Sequence, residues 1–540
     1  MPNRAQPLHN LVLVGFMGAG KSTVGRLLSD ALGMPFCDTD TQIVERMGMS
    51  IPRIFAEHGE PFFRRVEAEV VQELARGSSR VIATGGGALA DQDSLSGLLR
   101  ENFVVWLAAP LETLLARARS EGNRPLLAEV SEEQIRSLYA SRLAQYAQAH
   151  LVVRADDPPG HLAKTIRYHW ELRKRGEPAV RQVVVHATHD SYTVHVGSSL
   201  LGRAHELAPS LPRRGLLISD SNVAPLYGER VVAALHRGGC DVRQAVIPAG
   251  EEYKSLQTLE SLYEACVNAG LSRDGLIIAL GGGVTGDIAG LTAATYMRGI
   301  PWIQIPTTLL AQVDASVGGK VAVNLKQGKN LVGAFYQPQA VIADTDVLCS
   351  LPKRELLSGL AEVIKHGVMA EERLFRFVEE HLADILHRDP DALGHCVYRS
   401  CVIKGAVVES DEKETGLREI LNFGHTAAHA LESITGYTEY THGEAVAIGM
   451  VTAGRLSYMA GGWSDSDVER LIELLRRAGL PVSAPHVSID ELLQVAAHDK
   501  KVRAGQIRMV LSQRFGSAQT GSAVSAGQLR EALEWQRRLL

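Results

Sequence analysis

Two glycine-rich turns lie far apart in this chain: Gly15-Phe-Met-Gly18-Ala-Gly20-Lys21-Ser22 and Gly281-Gly282-Gly283-Val-Thr-Gly286-Asp287. Each follows a short apolar run, residues 11–14 and 276–280, and the first leads into a helical pattern over residues 24–32. A strand that turns through glycines into a helix presents backbone N–H groups and the positive helix end to a phosphate. Each such turn needs its own strand and helix, so two turns this far apart cannot close around one compact nucleotide. The chain must hold two α/β units, each with its own phosphate-binding turn.

The length permits this, since 540 residues exceeds the size at which one core stops growing, and three or four folding units are expected. The charges are interspersed, 56 basic against 61 acidic for a formal net charge of −5, with aromatic residues at 5%. No basic stripe marks a nucleic-acid partner, and local basic clusters point instead to small anionic substrates. Six scattered cysteines (Cys37, Cys240, Cys266, Cys349, Cys396, Cys401) form no C-x-x-C pair, which argues against a disulfide framework or a thiolate zinc site and for a cytoplasmic location. The apolar run at 11–15 is too short for a signal segment and nothing approaches a membrane span, so no membrane association is expected.

Residues 11–153 alternate short apolar runs with longer amphipathic stretches, the βαβ rhythm of a parallel sheet, and 1–172 are read as one α/β unit. After a helical pattern over 161–173, Arg173-Lys-Arg-Gly-Glu-Pro178 is charged and turn-forming, and 173–182 are read as an exposed linker. Residues 183–345 repeat the alternation as a second, Rossmann-like α/β unit. From Pro352 strand signals fade, and 346–540 are read as an all-α unit.

In the first turn, Gly15, Gly18 and Gly20 let backbone N–H groups close around β- and γ-phosphates, Lys21 adds a point charge, and Ser22, followed by Thr23, can ligate Mg²⁺. ATP is the expected ligand. Downstream stand Asp38-Thr-Asp40, Phe63-Arg64, Gly85-Gly86-Gly87, Asn123-Arg124-Pro125-Leu126-Leu127 and Arg142 with Tyr146. Together, over about residues 8–170, this P-loop set resembles shikimate kinase. The resemblance implies that Asp38 organises Mg²⁺ with Ser22, and that Asp40, Arg64, Gly86 and Arg142 hold shikimate. It also makes Asp40 the group that poises the attacking hydroxyl, and Arg124 a lid over the phosphates. Arg117 would contact adenine, with Arg119 an equally near candidate. A carboxylate suits a triol and an arginine fork suits a carboxylate. A nucleoside or gluconate kinase is the rival, since the glycine turn reports only the nucleotide.

The second turn alone is a dinucleotide signal of little specificity. After it come Tyr296-Met-Arg298, Pro306-Thr307-Thr308, Asp314-Ala-Ser-Val-Gly-Gly-Lys320, Gly328-Lys329-Asn330, Glu362-Val-Ile-Lys365, Asn422-Phe-Gly-His425-x3-His429, His442-Gly-Glu444 and Asp499-Lys500-Lys501. His425 and His429 are spaced i,i+4 on one helical face, with His442 and Glu362 available from other segments, so a metal is expected, although spacing does not choose its three ligands. Over about residues 183–540 the series resembles 3-dehydroquinate synthase. That resemblance assigns Glu362, His425 and His442 to Zn²⁺, or another divalent ion such as Co²⁺, and leaves His429 either to support the ligands from behind or to the proton-transfer path. NAD⁺ would be held by Asp220, Asn222, Glu251, Lys254, Gly282, Gly283, Asp287, Thr307, Thr308, Lys320 and Lys329. The substrate, 3-deoxy-D-arabino-heptulosonate 7-phosphate, would meet Arg298, Lys320, Asn330, Lys404, Arg418, Asn422, His429 and Lys500, with Asp314, Lys320, Lys365 and His429 in catalytic roles. Ala428 stands where the family commonly has glycine. The rival here is a metal-dependent polyol dehydrogenase. The synthase resemblance also implies a homodimer through that half.

Overall fold

The computed structural model describes residues 9–87, 92–120, 131–175, 180–188, 191–414, 416–498, 502–503 and 506–539. The first half is a parallel sheet of order β2-β3-β1-β4-β5, made of β1 (Leu11–Val14), β2 (Phe36–Asp38), β3 (Val81–Ala83), β4 (Phe103–Ala108) and β5 (Leu151–Arg154). Every residue of β1 is buried, as a continuous apolar run between two helical layers requires. The helices that position the first site are α1 (Lys21–Leu32), α2 (Glu60–Arg76), α3 (Leu111–Ser120), α4 (Glu132–Tyr146) and α5 (Pro159–Arg175).

The second sheet has seven strands in the order β6-β7-β14-β11-β10-β8-β9. Its members are β6 (Arg181–His186), β7 (Ser191–Gly197), β8 (Arg214–Asp220), β9 (Asp241–Ile247), β10 (Leu276–Gly281), β11 (Trp302–Pro306) and β14 (Ala340–Asp344). All neighbours are parallel except the edge pair β6 and β7. A hairpin, β12 (Lys320–Leu325) and β13 (Gly328–Phe335), packs on α6 (Gly283–Thr295). Gly290 is required there, because a β-carbon on it would lie 2.4 Å from the Val321 side chain.

The last third is helical as expected, built on α7 (Lys353–Met369), α8 (Pro390–Ser410), α9 (His425–Ile434) and α10 (His442–Met459). It is not all-α, however. A three-stranded antiparallel sheet joins β15 (Val502–Arg503), β16 (Gln506–Arg514) and β17 (Ser517–Val524). Ile507, Met509, Val510 and Leu511 are buried in it, and a register shift against β17 between Met509 and Leu511 breaks the strict alternation there.

The expected linker 173–182 is corrected at its start, since α5 runs through Arg175 and docks on the second half. On α5, His169 Nδ1 lies 3.4 Å from Asp346 Oδ1 and its Nε2 3.3 Å from Cys349 Sγ. Arg173 pairs with Asp346 and donates to Ser199 Oγ, and Thr165 Oγ1 donates to His387 O at 3.0 Å. Around it Arg388 pairs with Asp157 at 2.8 Å and Arg230 Nη1 donates to His150 O at 3.0 Å. Of the charges in the expected linker, Arg173 is turned into this seam by Asp346 while Lys174 is exposed, and the buried His169 and Asp346 need each other as partners. Among the described residues no helix is long and apolar enough to cross a membrane.

Candidate active sites

In the first half the glycine turn bends between β1 and α1 with Gly18 at φ 76° and Gly20 at φ 79°. A β-carbon on Gly18 would also lie 2.2 Å from Leu114 O, so only glycine fits there. Lys21 Nζ donates to Gly15 O at 2.8 Å and Phe16 O at 3.1 Å, folding its charge over the turn. Ser22 Oγ donates to Asp38 Oδ2 at 2.7 Å, which joins the two residues expected to organise Mg²⁺. Asp38 Oδ1 accepts from Asp40 N at 3.1 Å, capping the following helix and setting Asp40 on its first turn. Thr23 is exposed next to Ser22.

Opposite this turn, Gly85, Gly86 and Gly87 leave β3 with the expected shikimate residues gathered around them. Arg142 Nη1 and Tyr146 Oη both donate to Gly86 O at 2.6 Å. A β-carbon on Gly85 would lie 2.8 Å from Asp40 Oδ1, and one on Gly87 2.0 Å from Arg64 Nη1. The sequence reading missed Glu67, which is buried and accepts from Arg64 Nη1 at 2.7 Å. Burial raises its carboxyl against the opposing pull of Arg64, and its place one helical turn from Arg64 was the available signal. Arg117 Nη1 donates to Ala155 O at 2.6 Å, beside the loop that follows β5, while Arg119 is exposed. Arg124 lies outside the described residues.

In the second half α6 begins at Gly282 and points its N-terminus into a cavity of ≈ 1350 Å³. Asp220, Asn222, Glu251, Lys254, Gly282, Gly283, Asp287, Thr307, Thr308, Lys329 and Asn330 all line it, as do His429 and His442. Asp220 Oδ1 accepts from Asn222 N at 2.9 Å and its Oδ2 from Thr285 Oγ1 at 3.1 Å. Lys254 is buried, paired with Asp287, and donates to Asn330 Oδ1 at 2.6 Å. Burial raises the Asp287 carboxyl, with Lys254 acting against it. Lys329 Nζ stands 4.0 Å from the centroid of the Tyr437 ring.

The metal group is assembled by close helix approach. A β-carbon on Gly443 would lie 2.1 Å from Ser358 O, and one on Gly449 2.1 Å from Gly424 O. These contacts press α10 against α7 and against the start of α9. Glu362, wholly buried, thereby comes 3.4 Å from His442 Nε2 and 3.7 Å from His425 Nε2. One ligand atom from each of the three residues lies within 4.8 Å of the others. Neither Glu362 oxygen has a hydrogen-bond partner, although Lys365 forms an ion pair with it. A buried carboxylate facing two imidazole nitrogens fits a divalent ion of zinc-like preference. Ala428 is buried on α9 without displacing the group.

Sequence reasoning missed Glu432, whose Oε1 is 3.4 Å from His442 Nδ1 and turns Nε2 toward Glu362. Burial alone would lower the His442 imidazole, but Glu362 and Glu432 overcome it and push it up to about 10. A second possible group, Asp314, Glu362 and His366, also falls within 4.8 Å. Glu362 is common to both, but Lys404 Nζ sits 2.5 Å from Asp314, so that carboxylate is already neutralised and the His425–His442 group is favoured.

The remaining basic residues do not all converge. Arg418 is buried and donates to Glu412 O at 2.6 Å and Gly318 O at 3.3 Å. Asn422 closes the turn before His425. Lys320 is exposed and paired with Glu414, outside the cavity lining. Arg298 is exposed beyond the C-terminal end of α6, about 20 Å along that helix from Gly282, so the fold of one chain does not bring it to the cleft. Lys500 lies outside the described residues.

A phosphate turn facing an arginine-ringed pocket defines a P-loop phosphotransferase, and a dinucleotide crevice opening on a buried Glu-His-His group defines a nucleotide- and metal-dependent enzyme of sugar-like substrates. Residues 17–169 match the family described as shikimate kinase, 244–358 that described as 3-dehydroquinate synthase N-terminal, and 359–502 that described as 3-dehydroquinate synthase C-terminal. The 3-dehydroquinate synthase of Caldanaerobacter subterraneus is 51% identical over 337 residues, 62% of this chain and 95% of its own. A solved 2-epi-5-epi-valiolone synthase of Streptomyces hygroscopicus, with NAD⁺ and Zn²⁺ bound, is 30% identical with a TM-score of 0.61, covering 66% of this chain and 99% of that one. A shikimate kinase of Acinetobacter baumannii in complex with shikimate is 38% identical over 31% of this chain and 95% of its own, with a TM-score of 0.30. The chain belongs to the 3-dehydroquinate synthase family and carries a shikimate kinase domain ahead of it, a kinase and a lyase of the shikimate pathway in one polypeptide.

Proposed function

We propose that the first half phosphorylates shikimate from Mg²⁺-ATP and that the second converts 3-deoxy-D-arabino-heptulosonate 7-phosphate to 3-dehydroquinate with release of phosphate. The observation that carries this is the placing of Glu362, His425 and His442 beside the cavity that Gly282 and Asp220 line. In the kinase half, Lys21 and the α1 N-terminus neutralise the transferring phosphoryl group, Ser22 and Asp38 hold Mg²⁺, and Asp40 takes the proton of the attacking hydroxyl. Arg64 and Arg142 grip the carboxylate of shikimate.

In the synthase half, Glu362, His425 and His442 would hold Zn²⁺ or Co²⁺. Asp220, Lys254 and Asp287 would hold the ribose and phosphate portions of the dinucleotide. Bound, the two groups supply Lewis-acid polarisation and a hydride acceptor restored within each turnover. Arg418, buried with its guanidinium bonded to carbonyl oxygens, would add positive charge for the phosphorylated acid, while Lys404 and Lys365 stay paired with Asp314 and Glu362 respectively. His429, exposed at the cavity wall, carries a proton between substrate and solvent.

We also propose a homodimer through the synthase half. The exposed Leu331 and Phe335 lie on one face of β13, an apolar surface suited to a second copy.

The test is phosphate release from the heptulosonate phosphate. It should require NAD⁺, stop on chelation and leave no net NADH, while ATP consumption should require shikimate. Stoichiometric NADH would replace the synthase reading with a polyol dehydrogenase, and ATP use that follows gluconate would replace the kinase reading.

A further inference from the structure

The cavity in front of Gly282 is not enclosed by the synthase half alone. At ≈ 1350 Å³ it exceeds the roughly 300–1,000 Å³ of an ordinary small-ligand site, and Ala109, Pro110, Tyr139, Leu143 and Arg154 of the kinase half line it together with Asp220 and Gly282. The turn that follows Asp220 carries Pro225 and Leu226 into the same lining and packs against α4 of the kinase half. Tyr227 then ties that turn to the segment after β14 through Ser350 Oγ at 2.5 Å, and β5 of the kinase half packs along this segment.

We propose that the kinase half forms the outer wall of the dinucleotide cleft, with Tyr139, Leu143 and Arg154 meeting the adenosine end of NAD⁺. This rests on the NAD⁺ reading above. With the pyrophosphate at the α6 N-terminus and a ribose on Asp220, the base lies beyond Asp220, toward Pro225 and Leu226, where the kinase wall stands. The wall is built to receive a flat purine. Arg154 Nε is held by Asp156 Oδ1 at 3.0 Å and its side chain is only 27% exposed, so its guanidinium plane is set in advance. Tyr139 Oη donates to Ala109 O at 3.2 Å, which fixes its ring. The wall cannot swing away freely, because Arg388–Asp157 at 2.8 Å and Arg230–His150 O at 3.0 Å fasten the two flanks of β5 to the synthase half.

The test uses the full metal-loaded chain and titrates NAD⁺, ADP-ribose and nicotinamide mononucleotide by calorimetry. Arg154→Glu is expected to raise Kd for NAD⁺ and ADP-ribose about five- to tenfold, from loss of a partly desolvated stacking cation. The mononucleotide should bind as before. Arg154→Lys should fall between wild type and Arg154→Glu, and it carries the test if the glutamate variant does not fold. Unchanged NAD⁺ affinity in both variants, or equal weakening of the mononucleotide, overturns the shared wall. Failure of the wild-type chain to bind NAD⁺ would overturn the cofactor reading as well, so the two failures are distinct.

Discussion

Replacing Asp346 by asparagine should loosen the seam between the two halves, and the size of the effect follows from its surroundings. Asp346 is 4% exposed. Its Oδ2 accepts from Ser199 N at 3.1 Å and Ser199 Oγ at 2.9 Å and lies 3.4 Å from Arg173, while Oδ1 accepts from Ser198 and faces His169. Burial alone would raise the carboxyl, but His169 and Arg173 outweigh it and hold it below the usual carboxylate range. Asparagine keeps the shape, but its amide nitrogen cannot accept where one carboxylate oxygen did, and Arg173, whose side chain is 19% exposed, loses its nearest counter-charge. Stripping one partner from a buried pair costs about 3–5 kcal/mol. Arg173 retains its bond to Ser199 and lies 4.8 Å from the centroid of the Phe103 ring, so about 3 kcal/mol is expected. The assay is denaturant unfolding of the full chain followed by tryptophan fluorescence, since Trp170 is buried on the same helix. Arg173→Met combined with Asp346→Asn should regain much of the loss, because no lone charge remains. An unshifted midpoint for the single variant, or a double variant as unstable as the sum of its parts, would refute the reasoning.

Two further outcomes are expected. Glu432→Gln should weaken metal affinity by about 10–100-fold, read by competition with a chelator; unchanged affinity would mean that His442 needs no orienting partner. Burial lowers the His169 imidazole below its usual value, so the unfolded chain binds the extra proton, and the stability His169 adds at neutral pH is lost as pH falls below about 6.5. His169→Gln should flatten that part of the stability–pH curve, and a curve of unchanged slope would exclude His169 as its source.

The sequence exposed what chemistry leaves on the surface of a motif. Gly18 and Gly20 need positive φ, Lys21 and Ser22 need the adjacent turn, and His425 and His429 share a helical face, so these residues could be read locally. Glu67 and Glu432 escaped because each looks like an ordinary helical carboxylate until folding sets it against Arg64 or His442. The helix over 161–173 was legible, but the start of the linker was misplaced for a related reason: Arg173 suggests solvent, and only the arrival of Asp346, far along the chain, gives it a partner inside the seam. The strands β16 and β17 were hidden because their apolar residues, Ile507 and Met509 to Leu511, are few and set among polar ones, and a register shift at Met509/Leu511 spoils the alternation that would mark a strand. Arg298 shows the limit of motif order, since adjacency in a signature does not place a side chain at the other end of a helix.

The shared cavity wall has a kinetic consequence. A dehydrogenase must exchange its dinucleotide at every turnover, so an obstructed cleft would cap its rate. The proposed synthase reaction returns the dinucleotide to its starting redox state, and a cofactor that need not leave can have a long residence time without slowing product formation. A second enzyme packed over the exit is then tolerable where it would cripple an ordinary oxidoreductase.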